Sequence, residues 1–297
     1  MTDMIVVTGG NGFIGKNLVH SLRALGKEVV VVDYNGLSTW SPEVFLELIK
    51  ADSVFASEIE VIYHQGACSD TTCYDPHYMM RVNLNYSTEL LNLCIKKNIR
   101  LIYASSASVY GDGPFSEDAV CAPKNLYAKS KHLFDEYFKC YLGKIDSQVV
   151  GLRYFNVFGP LEENKGKMAS VIQQFFQQTK KENKIKIFKN SKSYIRDFIS
   201  VEDVVDVNLH FLNNPQISGI YNCGTSNPRS FYDIAEIMSD KYGCKIEEIE
   251  MPKNLVGRYQ KYTCSDNERL TQNANYEKSF LSLEEGMSRY LKYLEQK

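Results

Sequence analysis

A tyrosine and a lysine four residues apart are the first side chains of this sequence whose spacing suits proton transfer. Tyr127 and Lys131 lie in NLYAKSKHLFDEYF, which has a helical pattern, and residues four apart share one face of a helix. A nearby ammonium favours the phenolate, so we expect it to lower the pKa of Tyr127 and let the tyrosine take a hydroxyl proton. The chain contains 20 tyrosines, so this spacing alone is more often structural than catalytic.

A serine pair favours the catalytic interpretation. Ser105 and Ser106 end the apolar run LIYASS, about twenty residues before Tyr127. A serine hydroxyl placed there can polarise the same substrate oxygen that the tyrosine deprotonates. Serine, tyrosine and lysine in this order predict an enzyme that oxidises an alcohol with a nicotinamide cofactor, provided that a dinucleotide-binding loop precedes them.

Such a loop is predicted near the start of the chain. Gly9, Gly12 and Gly15 lie in VVTGGNGFIG, directly after a strand-like run and directly before a helical pattern. Glycines let the backbone approach a pyrophosphate, whose charge is met by free N–H groups at a helix N-terminus. Asp33 ends the next apolar run, EVVVVD, where a carboxylate accepts hydrogen bonds from the adenosine ribose and repels a 2′-phosphate. The alternative for Asp33 is a solvated strand end.

Alternating strands and helices must position these residues. Runs such as MIVVTG, EVVVVD and RLIYASS alternate with helical patterns such as YSTELLNLCIKKN, which is typical of a parallel sheet covered by helices on both faces. The sequence predicts an α/β fold, a Rossmann-type doubly wound parallel sheet with a smaller C-terminal substrate-binding lobe. We place the dinucleotide-binding domain at residues 1–163 and the substrate-binding lobe at 164–297, with 196–215 packing back on the first domain.

Composition and charge exclude several other classes. The chain has 34 basic and 36 acidic residues, a net charge of -2 and no long charge run, so we expect neither nucleic acid nor a membrane as its partner. No apolar run reaches the roughly 20 residues that span a bilayer, and no signal-peptide pattern precedes IVVTGG, which predicts a cytoplasmic protein. The eight cysteines show no CxxC spacing and the histidines no HExxH spacing, so we expect reduced, mostly buried thiols and no metal.

Several motifs together resemble one enzyme family. TGGNGFIG, SSASVYG, the YxxxK pair, RYFNVFGP and RDFISVEDV cover nearly the whole chain and resemble the extended short-chain dehydrogenase/reductases, the NAD-dependent epimerases and dehydratases. More narrowly, HQGACSDTT, KGKMAS and GRYQ resemble the ADP-L-glycero-D-manno-heptose 6-epimerases. That resemblance implies NADP or NAD held tightly, one per subunit, and a homo-oligomer, often a pentamer. It also implies inversion of C6 of ADP-D-glycero-D-manno-heptose by transient oxidation and hydride return, a step of lipopolysaccharide biosynthesis.

The resemblance further implies a role for each matching residue. The catalytic residues would be Tyr127, Lys131, Ser106 and Lys165. The cofactor-binding residues would be Gly9, Gly12, Phe13, Ile14, Gly15, Asp33, Tyr34, Gln65, Gly66, Ala67, Cys68, Ser69, Asn83, Tyr127, Lys131 and Val157. The substrate-binding residues would be Ser106, Asn156, Lys167, Phe188, Lys189, Asn190, Ser191, Arg196 and Tyr259. Lys165 would be a second base, because a carbonyl oxygen that turns between two half-reactions must meet a proton donor in both orientations.

Three of these assignments have structural alternatives. Lys165 can be a solvated loop lysine, because other lysines are close in sequence. Arg196 suits a pyrophosphate through its guanidinium fork, but it can instead pair with Asp197 or Glu202. Asn83 can hold the backbone behind the nicotinamide or simply cap a helix.

The match weakens between Asp33 and Glu58. This segment is shorter than in the family it resembles, and the usual third strand with an acidic residue near the adenine is not found. We therefore expect an incomplete or remodelled adenine pocket. The lysine that members using NADP carry after the aspartate is missing between Asp33 and Lys50, so charge favours NAD while the resemblance favours NADP.

Other reactions remain open because a fold does not fix a function. A GDP-heptose 4-dehydrogenase or a UDP-sugar 4-epimerase could use the same residues. A 4,6-dehydratase is disfavoured, because the residues after Ser106 lack the Asp-Glu pair that eliminates water in that group. A non-catalytic regulator that binds a dinucleotide has no need of Ser106, Tyr127 and Lys131 together, which argues against it.

Overall fold

The computed structural model describes residues 4–51, 54–252 and 260–297. The strands are β1 (Met4–Thr8), β2 (Val29–Val32), β3 (Ile59–His64), β4 (Arg100–Ser106), β5 (Val149–Tyr154), β6 (Asn156–Phe158), β7 (Lys184–Phe188), β8 (Ile195–Arg196), β9 (Phe198–Ser200), β10 (Gly219–Cys223), β11 (Arg229–Ser230) and β12 (Lys245–Ile249). The α-helices are α1 (Phe13–Ala24), α2 (Pro42–Lys50), α3 (Val54–Ser57), α4 (Pro76–Met80), α5 (Tyr86–Lys97), α6 (Leu126–Lys139), α7 (Val171–Glu182), α8 (Val201–Asn213), α9 (Phe231–Tyr242) and α10 (Leu283–Glu295).

A parallel sheet of six strands, in the order β10-β5-β4-β3-β1-β2, forms the centre of the molecule. Its strands are rich in apolar residues that do not alternate with polar ones, as in MIVVT of β1, where every residue is buried. Strands covered on both faces lack the alternation of polar and apolar residues that a half-exposed sheet shows. The predicted α/β fold with a doubly wound parallel sheet is therefore confirmed.

Helices cover both faces of this sheet. On one face, α1 and α8 pack through Leu18, Leu22 and Phe211. On the other face, α2, α5 and α6 contribute Phe45 and Phe134, among others. Each face is sealed by apolar side chains at helical spacing, so the polar ends of the strands remain as the place for a ligand.

The edge of the sheet at β2 reflects the short segment after Asp33. Among the described residues no strand lies beyond β2. The next segment instead covers the edge, with the Thr39 N–H donating to the Val31 carbonyl at 2.7 Å and the Asp33 N–H donating to the Trp40 carbonyl at 3.1 Å. A parallel crossover needs a dozen or more residues, and here α2 and α3 occupy the chain between β2 and β3. The adenosine end of the sheet is thus built from a loop and a helix.

A second apolar cluster holds the C-terminal part together. Helices α7, α9 and α10 pack around Phe175, Ile234 and Met287, and β7 pairs in parallel with β12. Strand β10, at residues 219–223, belongs to the central sheet, so the chain returns to that sheet beyond the predicted 196–215 segment. The division of the chain at residue 163 stays a prediction.

Three further observations concern membrane spans, cysteines and metal ligands. No helix in residues 4–51, 54–252 or 260–297 is long and apolar enough to cross a membrane. The cysteines are free, but only Cys94, Cys223 and Cys244 are buried, so the expectation of mostly buried thiols is wrong. The described residues hold no cluster of three or more metal-ligating side chains, and the absence of a metal stays a prediction.

Candidate active site

A cavity of about 830 Å³ opens along the carboxyl ends of β1, β2, β3 and β4. Ligands of open parallel sheets bind outside these strand ends. Its lining includes most of the predicted catalytic and cofactor-binding residues: Gly9, Gly12, Phe13, Ile14, Gly15, Asp33, Tyr34, Gln65, Gly66, Ala67, Cys68, Ser69, Ser106, Tyr127, Lys131, Val157 and Lys165. Residues far apart in sequence therefore converge on one site.

The glycine loop leaves no room for a side chain at Gly9 or Gly15. A Cβ on Gly15 would lie 2.1 Å from the Gly9 carbonyl oxygen, and one on Gly9, whose φ is +66°, would lie 2.5 Å from the Gly66 backbone. The loop closes through the Gly12 N–H, which donates to the Gly9 carbonyl at 3.0 Å. Gly12 then precedes α1 without any side-chain cap. The free N–H groups of the first turn are thus available to an anion such as a pyrophosphate.

Asp33 is tied to that loop. One carboxylate oxygen accepts from the Asn11 N–H at 3.0 Å, and the other accepts from the Tyr34 N–H at 2.8 Å. These bonds fix the carboxylate at the cavity wall, so the alternative of a freely solvated strand end does not fit. A carboxylate with remaining lone pairs at this position suits the hydroxyls of an adenosine ribose.

The adenosine end of the cavity contains side chains that sequence reasoning missed. The Tyr34 hydroxyl donates to Glu43 at 2.5 Å, and burial together with this carboxylate raises the pKa of Tyr34 to about 12. Arg81 lines the same end, with its guanidinium 5.7 Å from the centre of the Tyr78 ring. Arg81 begins the π-helical segment Arg81–Asn85 that joins α4 to α5, far downstream of β2, so no spacing in the sequence could have indicated it.

Gln65 provides an independent indication that the cavity fits a dinucleotide. Its carbonyl oxygen accepts from the Tyr154 hydroxyl at 3.2 Å, while its buried amide nitrogen has no hydrogen-bond partner among the described residues. A buried donor without a partner costs free energy that a ligand acceptor would recover. Together with the glycine cradle and Asp33, this orphaned donor shows that the residues present fit NAD or NADP.

Asn83 acts from behind the cavity wall. It is almost fully buried, does not line the cavity, and its side chain bonds both backbone groups of Cys68, at 2.8 and 2.9 Å. Its amide also donates to the Ser130 hydroxyl at 3.1 Å. Asn83 therefore fixes the loop after β3 against α6, and the role of a helix cap does not fit.

The three predicted catalytic residues Ser106, Tyr127 and Lys131, the triad, are positioned by the end of β4 and the start of α6. The Asn125 side chain caps α6 by accepting from the Ala128 N–H at 2.8 Å, which places Tyr127 in the first turn and Lys131 one turn later. The Tyr127 hydroxyl forms a hydrogen bond with Ser106, and the Lys131 ammonium donates to the Ala104 carbonyl at 2.8 Å. All three side chains line the cavity.

The structure distinguishes the two serines of β4. Ser105 is buried and donates to Asp135 at 2.9 Å. Ser106 bonds Tyr127 and also accepts from the Ser108 hydroxyl at 2.9 Å. Alternation along the strand sends successive side chains to opposite faces, so Ser106 is the serine that faces the tyrosine.

Burial dominates the proton affinities of the triad. It raises the pKa of Tyr127, and the hydrogen bond from Ser106 opposes this effect. The expectation that a nearby ammonium lowers this pKa below its usual value is therefore wrong for this structure. Burial lowers the pKa of Lys131 to about 8, although Asp135 acts in the opposite direction. Desolvation disfavours the charged form of both groups, which explains both directions.

Lys165 is held at the cavity wall by a short turn over Glu163–Met168. Its ammonium lies 4.9 Å from the centre of the Phe13 ring and 4.0 Å from the Glu162 carboxylate. Burial lowers the pKa of Lys165, and Glu162 partly offsets that effect. A solvated loop lysine would have neither contact, so the alternative does not fit.

Most of the predicted substrate-binding residues do not line this cavity. Those outside it are Asn156, Lys167, Phe188, Lys189, Asn190, Ser191 and Arg196. Asn156 is exposed between the cavity residues Phe155 and Val157, and Arg196 donates to the Ile195 carbonyl at 2.8 Å and to the Gln260 carbonyl. Tyr259 lies outside the described residues. The substrate roles of this group stay predictions.

Comparison with known proteins agrees with this geometry. Residues 5–224 match the model of the NAD dependent epimerase/dehydratase family. The chain belongs to this family. It is 45% identical to an ADP-L-glycero-D-manno-heptose-6-epimerase of Brachyspira hyodysenteriae, over 98% of each chain. It is 42% identical to one of Alkalilimnicola ehrlichii, over 97% of this chain and 96% of that one.

Solved structures extend the similarity. The ADP-L-glycero-D-manno-heptose-6-epimerase of Helicobacter pylori superposes with a TM-score of 0.86 at 29% identity, over 99% of this chain and 96% of that chain. The UDP-glucose 4-epimerase of Thermotoga maritima shares the fold, with a TM-score of 0.84 at 23% identity over 99% of each chain. The resemblance to the heptose epimerases that the sequence motifs indicated is confirmed.

Proposed function

We propose that this enzyme inverts C6 of ADP-D-glycero-D-manno-heptose to give ADP-L-glycero-D-manno-heptose. The observation that carries the proposal is the convergence of Ser106, Tyr127 and Lys131 with Lys165 on one dinucleotide-sized cavity. Similarity to two heptose epimerases over nearly the full chain supports the choice of substrate.

The chain's own residues hold the cofactor in place. The free N–H groups of the glycine loop would hold the pyrophosphate, Asp33 would accept from the adenosine ribose, and the amide of Gln65 would donate to an acceptor on the dinucleotide. When bound, the nicotinamide supplies the group that takes hydride from the substrate carbon and returns it, so no net change of cofactor results. We propose that the cavity holds one dinucleotide per subunit.

Tyr127 takes the proton of the substrate hydroxyl during oxidation. Its phenol has a raised pKa, so it needs help to ionise, and the hydrogen bond from Ser106 gives part of that help. Lys131, whose pKa burial lowers to about 8, can exist in both protonation states near neutral pH. A lysine of this kind can pass protons as well as supply charge.

Lys165 serves the other half-reaction. A secondary alcohol has no acidic C–H, so inversion must pass through a carbonyl whose oxygen turns between two proton-transfer groups. Lys165 and Tyr127 both line the cavity, and their acid and base roles exchange between oxidation and reduction. Asn156, Lys167, Arg196 and the residues 188–191 are proposed to hold the nucleotide-sugar arm.

The proposed location and oligomeric state of the enzyme follow from its substrate and its family. Nucleotide sugars are made from cytoplasmic nucleotides, so we place the protein in the cytoplasm. We further propose a homo-oligomer, a pentamer by family resemblance, which sedimentation equilibrium of the purified protein would test.

Two measurements test the reaction. Mass spectrometry of the molecule released on denaturation should find NAD or NADP, and NMR of ADP-D-glycero-D-manno-heptose after incubation should show the L-isomer at C6. In deuterated water the product should carry no deuterium at C6, because the hydrogen that leaves is the one that returns. Deuterium at C6 would contradict direct return, and accumulation of reduced cofactor would favour a dehydrogenase.

A further inference from the structure

The Lys165 turn is anchored by a buried carboxylate that the reaction scheme above does not use. The side chain of Glu162 is 0% exposed, whereas that of Lys165, three residues later, is 28% exposed. A fully buried carboxylate is rare unless it is paired or hydrogen-bonded. Its surroundings therefore indicate what it does.

Neutral donors hold Glu162 in a fixed position. The Ser170 hydroxyl donates to one carboxylate oxygen at 2.5 Å, and the Ser170 N–H donates to the other at 2.7 Å. The Gly159 N–H donates to the first oxygen at 3.5 Å. Ser170 also caps α7 by accepting from the Gln173 N–H at 3.3 Å. Glu162 thus ties both ends of the Lys165 turn to rigid elements.

The Lys165 ammonium balances the charge of this carboxylate. The donors from Ser170 and Gly159 are neutral, so they leave a full negative charge in a buried site, and the Lys165 ammonium lies 4.0 Å from it. On its other side the ammonium meets the face of the Phe13 ring at 4.9 Å, and an aromatic face also attracts a cation. Both neighbours favour the protonated lysine, while burial opposes it.

The other titratable groups around this pair are accounted for. The Tyr290 phenol of α10 lies against Glu162, and its pKa is raised by burial and by that carboxylate. Glu163 faces away, accepting from the Tyr293 hydroxyl at 2.9 Å and pairing with Lys297. Among the described residues, Glu162 is the charged group that acts on Lys165.

We propose that Glu162 is a positioning residue for Lys165, holding its ammonium at the cavity wall and keeping it protonated in the resting enzyme. Lys165 then begins as the acid of the pair, and Tyr127 begins as the base. A lysine without this carboxylate would lose its proton to solvent at lower pH and would often be in the wrong state when substrate binds. This inference rests on the proposed function for its consequence in turnover, but the state of Lys165 can be measured separately.

The experiment compares Glu162→Gln with Glu163→Gln, which removes the same charge from the adjacent residue. The lysines of the cofactor-loaded enzyme are ¹³C-methylated, and the Lys165 resonance is assigned by its absence in Lys165→Met. We expect NMR to show that this resonance titrates at least about one pH unit lower in Glu162→Gln than in the parent enzyme. The same shift should appear in the limb of the kcat profile that reports loss of the Lys165 proton, with KM changed less than about twofold. Glu163→Gln should leave both unchanged.

The outcomes separate this inference from the proposed function. An unmoved Lys165 titration in folded Glu162→Gln, or an equal shift in Glu163→Gln, overturns the positioning role, even if turnover falls. A shifted titration together with a fully active Lys165→Met supports the positioning role and removes Lys165 from the reaction. If Glu162→Gln does not fold, Glu162→Asp keeps the charge but retracts it, and it should shift the titration in the same direction by a smaller amount.

Discussion

At the scale of single residues, the environment of Tyr127 decides its chemistry more than its type does. Burial raises its pKa, and the bond with Ser106 lowers it, so the phenol is a stronger base than a solvated tyrosine once it has ionised. Lys131, bonded to the Ala104 carbonyl at 2.8 Å, has a pKa of about 8. Tyr127 therefore holds its proton firmly and Lys131 releases its proton easily, which suits the transfer of a proton between the two side chains.

We therefore expect Tyr127→Phe to lower kcat at least about a hundredfold with little change in KM, because the lost hydroxyl acts in the transition state. Tyr137→Phe is the matched control. Tyr137 lies on the same helix, and its hydroxyl bonds Asn92 at 2.9 Å outside the cavity. Steady-state kinetics of both variants measures the difference, and a kcat of Tyr127→Phe within about threefold of the parent enzyme would remove this residue from the mechanism.

At the scale of elements, the edge of the sheet determines how the adenosine is recognised. The sheet ends at β2 in the described part of the chain, and α2 brings Glu43 next to Tyr34. Arg81 lies in the π-helical segment after α4, close enough to lower the pKa of both groups. The cavity lining thus includes the carboxyl groups of Asp33, Glu43 and Glu89 together with the guanidinium of Arg81. A remodelled adenine pocket stays a prediction.

From this charge balance we expect NAD to bind at least as tightly as NADP, since a 2′-phosphate would meet two carboxylates. Calorimetric titration of the cofactor-stripped protein with each dinucleotide measures the ratio of the two dissociation constants. Binding of NADP more than about tenfold tighter would contradict the charge argument. Loss of that preference in Arg81→Ala would then identify the cation responsible.

At the scale of the whole molecule, one buried carboxylate joins three segments that are distant in sequence. Asp197, between β8 and β9, is 0% exposed. It accepts from the backbone and hydroxyl of Thr225 at 2.8 and 2.6 Å, and from those of Ser265 at 2.9 and 2.7 Å. The Ser226 N–H donates to it at 3.0 Å. The loop after β10 and the segment around Ser265 are thereby fastened beside the strands that follow the Lys165 turn.

Removing this carboxylate should leave several buried donors unpaired. We expect Asp197→Ala to lower the free energy of unfolding by about 3 kcal/mol or more. Asp206→Ala, which removes a carboxylate paired with Lys278 at the surface, should cost less than about 1 kcal/mol. Urea denaturation, monitored by circular dichroism, compares the free energies of unfolding of the two variants. Equal losses of stability would show that Asp197 does not hold these segments together.

The sequence by itself determined the features that depend on local sterics and periodicity. Gly9 and Gly15 are required because a Cβ would strike backbone, so their spacing marks the phosphate loop wherever it occurs. The buried valines of β1 and β2 and the spacing of Tyr127 and Lys131 likewise follow from strand and helix geometry. The fold and the cofactor class were therefore predictable, as was the placement of Ser106, Tyr127 and Lys131 on one cavity.

Only the tertiary structure decided the features that arise between distant segments. In the folded chain Ser106, and not Ser105, faces Tyr127, and Arg81 lies at the predicted adenosine end of the cavity. Lys165 lies against Phe13 and Glu162. The tertiary structure also showed that burial raises the pKa of Tyr127, which the neighbouring lysine had suggested would be lowered. Desolvation and through-space charge depend on which side chains meet in three dimensions, and no spacing along a chain records that.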